Sequence, residues 1–302
     1  MENNDRIIKF LAHDGKVSVS VINSTYLVEQ ARKIHDLSPV TTAALGRLLT
    51  ITAMMGADLK SPDDKLTIQV RGNGPIGSMV TSSNMFPKVK GYVANPIVDL
   101  PLRKDGKLDV GRAVGKEGFL NIIKDIGLKE PYVGMVPLTS GEIAEDFAQY
   151  FATSEQKPTV CALGVLVDSQ GVKAAGGYLL TLMPDATEEV IDKIEENVKS
   201  VPAISKMLED ELTLEEIAKK VTGDQKAQVI EQDIIPVYEC DCSKGKIADA
   251  LATIGKEELQ DMIEKEGKAE TICHFCNRKY TFDKIELEEI LKRATNKENR
   301  DK

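Results

Sequence analysis

Three observations predict an α+β protein with a small metal-binding end. Strand and helix patterns intermix without regular βαβ alternation, which argues against a doubly wound sheet. One helix, over residues 40–57, is apolar nearly all round (Ala43, Ala44, Leu45, Leu48, Leu49, Ile51, Ala53, Met54, Met55). A helix of that kind is buried within a domain. Four of the five cysteines fall in the last 63 of the 302 residues.

The elements follow in order. Residues 5–13 and 16–24 read as a hairpin around Asp14-Gly15, a favoured two-residue turn. Val17, Val19 and Val21 alternate with Ser18 and Ser20, which is strand periodicity. Residues 25–36 read as a helix with Leu27, Val28, Ala31 and Ile34 on one side. Ser38-Pro39 supplies a cap and a first-turn proline for the apolar helix. Short strands are expected at 65–70, 77–82, 89–94 and 132–139, and residues 118–127 fit strand or helix. Ser140 is read as the cap of a helix reaching Thr153. Two apolar strands, 159–167 and 173–183, flank the turn Asp168-Ser169-Gln170-Gly171.

The next segment reads as helical. Asp185 with Glu188, and Thr213 with Glu216, are capping boxes. The first leads into Val190, Ile191, Ile194 and Val198, before Pro202, and the second ends at Gly223. Residues 184–239 hold 6 Lys+Arg against 15 Asp+Glu, a charge of −9 that equals the net charge of the whole chain. With one aromatic residue, Tyr238, it reads as an acidic linker of weak stability. The division is therefore 1–183, 184–239 and 240–302. The polar end, residues 294–302, is expected to fray.

Composition narrows the function. The pI of 5.1 argues against electrostatic nucleic-acid binding. No run of apolar residues is long enough for a membrane span. The polar start, Met1-Glu2-Asn3-Asn4-Asp5-Arg6, has no signal-peptide core behind it, so the expectation is a cytoplasmic chain with unpaired thiols. Arg71-Gly72-Asn73-Gly74-Pro75-Ile76-Gly77 contains G-x-G-x-x-G, but Ser78-Met79-Val80-Thr81 reads on as strand. A dinucleotide site needs a helix there, so these glycines are assigned to a tight turn. No Ser/His/Asp triad can be nominated among three histidines, and no enzyme activity is expected.

The chemistry lies in the cysteines. Cys240-Asp241-Cys242 is followed after 30 residues by Cys273-His274-Phe275-Cys276. Two close pairs separated by tens of residues are the pattern of a tetrahedral zinc site with four thiolate ligands. His274 is read as exposed, because four sulfurs fill four positions. Short apolar stripes accompany the site: Ile247, Leu251 and Ile254; Leu259, Met262 and Ile263; Ile285, Leu287, Ile290 and Leu291. Such a core is too small to fold by itself, so metal loss is expected to unfold it. A purely structural zinc fits these observations too. On oxidation, pairing within Cys240/Cys242 and within Cys273/Cys276 would close very small loops and staple little. A Cys242–Cys273 bridge would clamp the module shut, so a switch that unfolds on oxidation needs the local pairs. Cys161, in an apolar strand, is expected to be a buried, inert thiol.

The two cysteine pairs resemble the redox-switch site of the bacterial 33 kDa heat-shock chaperones, the redox-regulated holdases. Similar segments run along most of the chain: Ala43-Ala44-Leu45-Gly46-Arg47-Leu48-Leu49, residues 71–77, Gly91-Tyr92-Val93-Ala94-Asn95-Pro96, Val110-Gly111-Arg112-Ala113-Val114-Gly115, Ser140-Gly141-Glu142-Ile143-Ala144-Glu145-Asp146 and Tyr150-Phe151-Ala152-Thr153-Ser154-Glu155-Gln156. The resemblance implies an N-terminal domain of β-sheet layers around buried helices, a helical linker and a zinc module. It implies one Zn2+ on Cys240, Cys242, Cys273 and Cys276 in a reduced, inactive form. Oxidation to the disulfides Cys240–Cys242 and Cys273–Cys276 then expels zinc and unfolds switch and linker. The activated homodimer holds unfolding client proteins without ATP, and binds neither nucleic acid nor membrane. Two other readings are a zinc-ribbon nucleic-acid binder, which the acidic balance disfavours, and a thiol–disulfide oxidoreductase, which four cysteines on one metal fit poorly.

Overall fold

A computed structural model of the chain describes residues 3–298. Its contacts divide it into two compact units, Met1–Glu239 and Cys240–Lys302.

The first unit opens with β1 (Arg6–Ala12) and β2 (Val17–Asn23). Ala12 pairs with Val17, so the hairpin loop spans four residues, 13–16, rather than the expected two. His13 and Asp14 take left-handed backbone, φ 51° and 54°, ahead of Gly15 at 88°. That consecutive left-handed path is what lengthens the loop. Next come α1 (Thr25–His35) and α2 (Pro39–Gly56). The Asp5 carboxylate accepts from the Tyr26 and Leu27 N–H groups at 2.9 and 2.7 Å, which satisfies two orphan donors at the start of α1. Pro39 occupies the first turn of α2 as expected, but Ser38 makes no cap bond. Its hydroxyl donates to the Val98 carbonyl at 2.9 Å and accepts from the Val98 N–H at 3.1 Å.

From Val40 to Gly56 every residue of α2 except Arg47 is buried. Its threonines tolerate this because Thr50 and Thr52 donate to the Gly46 and Leu48 carbonyls at 2.8 and 2.6 Å. Arg47 reaches out of the helix to the Glu142 carboxylate at 2.6 Å.

The remaining elements of this unit are β3 (Lys65–Arg71), β4 (Ser78–Asn84), β5 (Lys88–Val93), α3 (Val110–Val114), β6 (Phe119–Asp125), β7 (Tyr132–Pro137), α4 (Ala144–Thr153), β8 (Thr159–Asp168), β9 (Gly171–Leu182), α5 (Glu188–Ser200), α6 (Ile204–Glu209), α7 (Leu214–Thr222), β10 (Gln228–Ile234) and β11 (Val237–Tyr238). The ambiguous 118–127 segment is thus strand. One sheet has the order β10-β1-β2-β9-β8 and the other β11-β5-β4-β3-β6-β7. The expected α+β class holds, with sheet layers about the buried α2.

Two local expectations change. Helix α4 starts at Ala144, and the Asp146 carboxylate rather than Ser140 gathers the N–H groups of Thr139, Ser140, Gly141 and Ile143 at 2.7–3.3 Å. Helix α5 starts behind Thr187 with no side-chain cap bond, so Asp185 and Glu188 form no capping box. The Thr213–Glu216 box is present, with both reciprocal bonds at 3.2 and 2.8 Å.

The main core joins α2 (Leu45, Leu48, Leu49, Ile51) to Leu66, Ile68, Leu120, Ile122, Phe147 and Tyr150. A second core lies on the other face of the first sheet. There Ile8, Phe10, Val17, Val19, Val21, Tyr178 and Leu180 meet Val190, Ile194, Ile204, Met207, Ile217 and Val221 of α5–α7. The helices of the acidic segment therefore cover a sheet face with their apolar side chains, while Ile234 and Tyr238 pack against the main core. It is also not wholly helical, because it ends in the strands β10 and β11.

The second unit contains α8 (Lys244–Leu251), α9 (Lys256–Asp261) continued by a π turn (Met262–Glu266), the hairpin β12 (Lys268–Ile272) and β13 (Lys279–Asp283), and α10 (Lys284–Glu298). Its buried core is Ala248, Leu259, Ile263, Phe282, Leu287 and Ile290. Ile254 and Ile285, expected on the apolar stripes, are exposed. Residues 299–302 of the expected frayed end lie outside the described residues.

Candidate metal centre

The four clustered cysteines are positioned by two short devices. Cys273 and Cys276 sit on the loop between β12 and β13. The Cys273 carbonyl accepts from the Cys276 and Asn277 N–H groups at 3.3 and 2.8 Å, and the Cys273 N–H donates to the Arg278 carbonyl at 3.0 Å. Asn277 supplies the left-handed residue, φ 55°, that this knuckle needs. Cys240 and Cys242 lie on the extended segment leading into α8, whose N-cap Ser243 accepts from Lys246 N–H at 3.3 Å.

These devices bring all four sulfurs within 4.8 Å of one another. Cys240 Sγ lies 3.7 Å from Cys273 Sγ, and Cys242 Sγ lies 3.4 Å from Cys276 Sγ. A tetrahedron of sulfurs bonded at about 2.3 Å to one ion has edges of about 3.8 Å, so the cluster is the right size for a metal. Cys273 is buried and the other three are half-buried. His274 is exposed, as expected, and is outside the cluster.

The sulfurs differ electrostatically. Burial pushes the Cys240 and Cys276 thiols up. Burial acts on Cys242 as well, but hydrogen bonds from Tyr280 and its cysteine neighbours outweigh it and bring its thiol down to about 7. The Tyr280 hydroxyl donates to Cys242 Sγ at 3.1 Å. Sequence reasoning missed this residue. Its signal was position: Tyr280 follows Cys276 by four residues on the strand leaving the knuckle. Lys246 pairs with Asp241 between the first two cysteines.

Two other motifs resolve differently. Cys161, on β8, is half-buried rather than fully buried; its side chain packs against the main core, and desolvation raises its thiol. The glycine motif turns from β3 into β4. A Cβ on Gly72 would meet the Val114 carbonyl oxygen at 2.1 Å, and one on Gly74 the Ala113 carbonyl oxygen at 2.3 Å. These glycines admit the backbone of α3, with no helix following for a pyrophosphate.

The family model described as Hsp33 protein matches residues 5–283, a span that includes all four clustered cysteines. The chain belongs to the Hsp33 family. Among its relatives, the 33 kDa chaperonin of Caldanaerobacter subterraneus subsp. tengcongensis is 47% identical over 97% of this chain and 99% of its own length. The 33 kDa chaperonin of Clostridioides difficile is 46% identical over 95% and 99%. The crystal structure of the 33 kDa chaperonin (heat shock protein 33 homolog) from Thermotoga maritima superposes with a TM-score of 0.89 at 42% identity, covering 97% of this chain and 99% of that one. This Hsp33-family chain is thus a chaperone-family protein whose smaller unit gathers four cysteines within metal-binding distance. No helix among its described residues is long and apolar enough to cross a membrane.

Proposed function

We propose that this chain is an ATP-independent holdase of the cytoplasm, without enzyme activity, switched on by oxidation of Cys240, Cys242, Cys273 and Cys276. The observation that carries the proposal is the convergence of these four sulfurs in a unit whose apolar cluster, among the described residues, has six buried side chains. A unit so built depends on its ligand for stability, and the ligand depends on reduced sulfur.

Zinc is the metal this reading assigns, since four thiolates in a tetrahedron suit Zn2+. Bound there it would hold all four sulfurs as thiolates and supply roughly 10–16 kcal/mol of folding free energy. On oxidation Cys240 pairs with Cys242, and Cys273 with Cys276. Each new S–S bond releases two electrons. Hydrogen peroxide accepts them as its O–O bond breaks, takes up two protons and leaves as two waters for each disulfide formed. Disulfide sulfurs no longer ligate, and two such small loops restore little stability.

The consequences pass along the covalent chain from Cys240 into residues 184–239, here proposed to act as the linker. Nine excess negative charges oppose its compact state once its anchor is lost. Release of α5–α7 would uncover Ile8, Phe10, Val17, Val19, Val21, Tyr178 and Leu180, an apolar sheet face fit to hold unfolding clients. The uncovered form acts as a homodimer and engages neither nucleic acid nor membrane.

The test is light scattering from a heat-unfolded client, with the chain either reduced and zinc-loaded or oxidised and freed of oxidant. Suppression by the oxidised form alone is expected. Equal suppression by both forms would make the zinc structural and refute the switch. No suppression by either would refute the holdase.

A further inference from the structure

We infer that the edge of β1 now occupied by β10 is a docking site for an extended segment of an unfolding polypeptide, taken by strand addition once β10 has come away. This rests on the holdase reading and names a client contact distinct from the sheet face beneath α5–α7.

Strand β10 is bound mainly through its backbone. Residues 228–233 are all exposed, including Val229 and Ile230, and only Ile234 packs against the main core. Its pairing with β1 is irregular at two places, between Ile7 and Lys9 and between Lys9 and Phe10. On its other side β1 pairs with β2 without a break from Arg6 to Ala12. Removing β10 therefore removes the irregularly paired neighbour and leaves β1 anchored to β2.

The ends of this strap are tied by few groups. At one end Asp224 accepts the His13 N–H at 2.7 Å. At the other, β11 runs beside Lys88 and Val89 for two residues, and the Tyr238 hydroxyl donates to the Gly91 carbonyl at 2.7 Å while His35 Nε2 lies 2.9 Å from it. Tyr238 is two residues from Cys240, so this tie stands next in the chain to the oxidised module.

The edge left behind suits a strand. It is seven residues long and carries Ile7, Ile8, Phe10, Leu11 and Ala12. An inward lysine commonly guards such an edge against pairing. Lys9 loses its pair with Glu231 of β10, at 3.0 Å, when the strand leaves, but it keeps a counter-charge on the side that stays folded, Asp58 at 2.9 Å, and donates to the Ala57 carbonyl at 2.9 Å. The occupant is indicated by what sits there now: an extended segment recognised through N–H and C=O groups that every unfolding protein supplies. Dependence on backbone rather than side chains is what a client site of broad specificity requires.

The experiment uses the full chain, reduced or oxidised, and a labelled peptide with the sequence of residues 226–236. A second peptide carries Val229→Pro, which removes a backbone donor and leaves the Glu231 carboxylate that pairs with Lys9 at 3.0 Å. The first peptide should bind the oxidised chain and not the reduced one, and the proline peptide at least about ten-fold more weakly. By residue-resolved amide exchange, the β1 amides facing β10 should lose protection on oxidation and regain it with peptide or heat-unfolded client, while those facing β2 stay protected. Equal binding of both peptides, or β1 amides indifferent to oxidation and client, would overturn the inference even if the oxidised chain suppresses aggregation. If it suppresses no aggregation the holdase reading fails, and the peptide titration still decides the edge.

Discussion

Removing the metal from the reduced chain should unfold residues 240–298 while the core around α2 stays folded. The magnitude follows from the small core. Among the described residues its apolar core buries Ala248, Leu259, Ile263, Phe282, Leu287 and Ile290, and Ile254 and Ile285 contribute exposed surface instead. A metal-loaded unit of this kind sits near the low end of domain stabilities, about 5 kcal/mol. A four-thiolate ion supplies about 10 kcal/mol or more of folding free energy. The apo unit is then about 5 kcal/mol on the unfolded side, which is over 99.9% unfolded. The assay is hydrogen exchange by mass spectrometry on the reduced chain, with and without a strong chelator. Fragments from β12, β13 and α10 should exchange at the unfolded rate with chelator, and fragments from α2 should not change. A second unit that kept its protection without metal would refute the reasoning, because oxidation could then not unfold it by expelling an ion.

Three other outcomes are expected. Tyr280→Phe removes the 3.1 Å bond to Cys242 Sγ and should weaken metal affinity by about 10-fold or more, as loss of an outer partner to a ligand does; chelator competition measures it, and unchanged affinity would make the bond incidental. Ile194→Ala should cost about 2–5 kcal/mol of the attachment of α5, because Ile194 is 2% exposed in the second core; faster amide exchange in α5 of the reduced chain would show it, and unchanged exchange would refute it. Glu29→Gln tests an acid-labile contact. The Arg32 guanidinium, with the Val172 N–H, outweighs burial and holds the Glu29 carboxyl down at about 2, below its usual 4.5. A depressed carboxyl stabilises the fold above its unfolded pKa and loses that stabilisation as pH falls to its folded one. The variant should therefore be about 3 kcal/mol less stable at pH 7, with the gap closing between pH 4.5 and 2 in urea unfolding. A gap that did not change with pH would contradict the assignment.

Much of the candidate site was legible because its signal is local. Two cysteine pairs, each within four residues, can be read without knowing how the chain folds, and the four sulfurs do converge. The buried α2 was legible for a related reason: an apolar residue on every face leaves a helix no solvent side. Tyr280 was not legible, since its meaning depends on the direction in which β13 leaves the knuckle. The strand β10 was missed because Gln228-Val229-Ile230-Glu231-Gln232-Asp233 has no buried face, and so no alternation to detect. An edge strand held through its backbone leaves little trace in side-chain pattern. The capping box read at Asp185 failed because α5 begins at Glu188, so the acid lies outside the first turn.

The same contrast separates what must be stable from what must be released. The core around α2 closes on itself, with no lysine or arginine buried among the described residues and Cys161 only partly buried against it. Residues 184–239 depart from that pattern. Their helices give apolar side chains to one sheet face, their ion pairs Lys193–Glu189 and Lys199–Glu195 are exposed and worth little, and their last strands are held at an edge. Strengthening this segment with a larger core would cost the release on which the proposed activity depends. Weakening it would uncover Phe10, Val19 and Tyr178 in the reduced chain and invite association before any stress arrives. On the proposed reading a removable metal held by Cys240, Cys242, Cys273 and Cys276 would resolve the conflict, because it would add stability that oxidation could withdraw all at once, without a change in the sequence that folds.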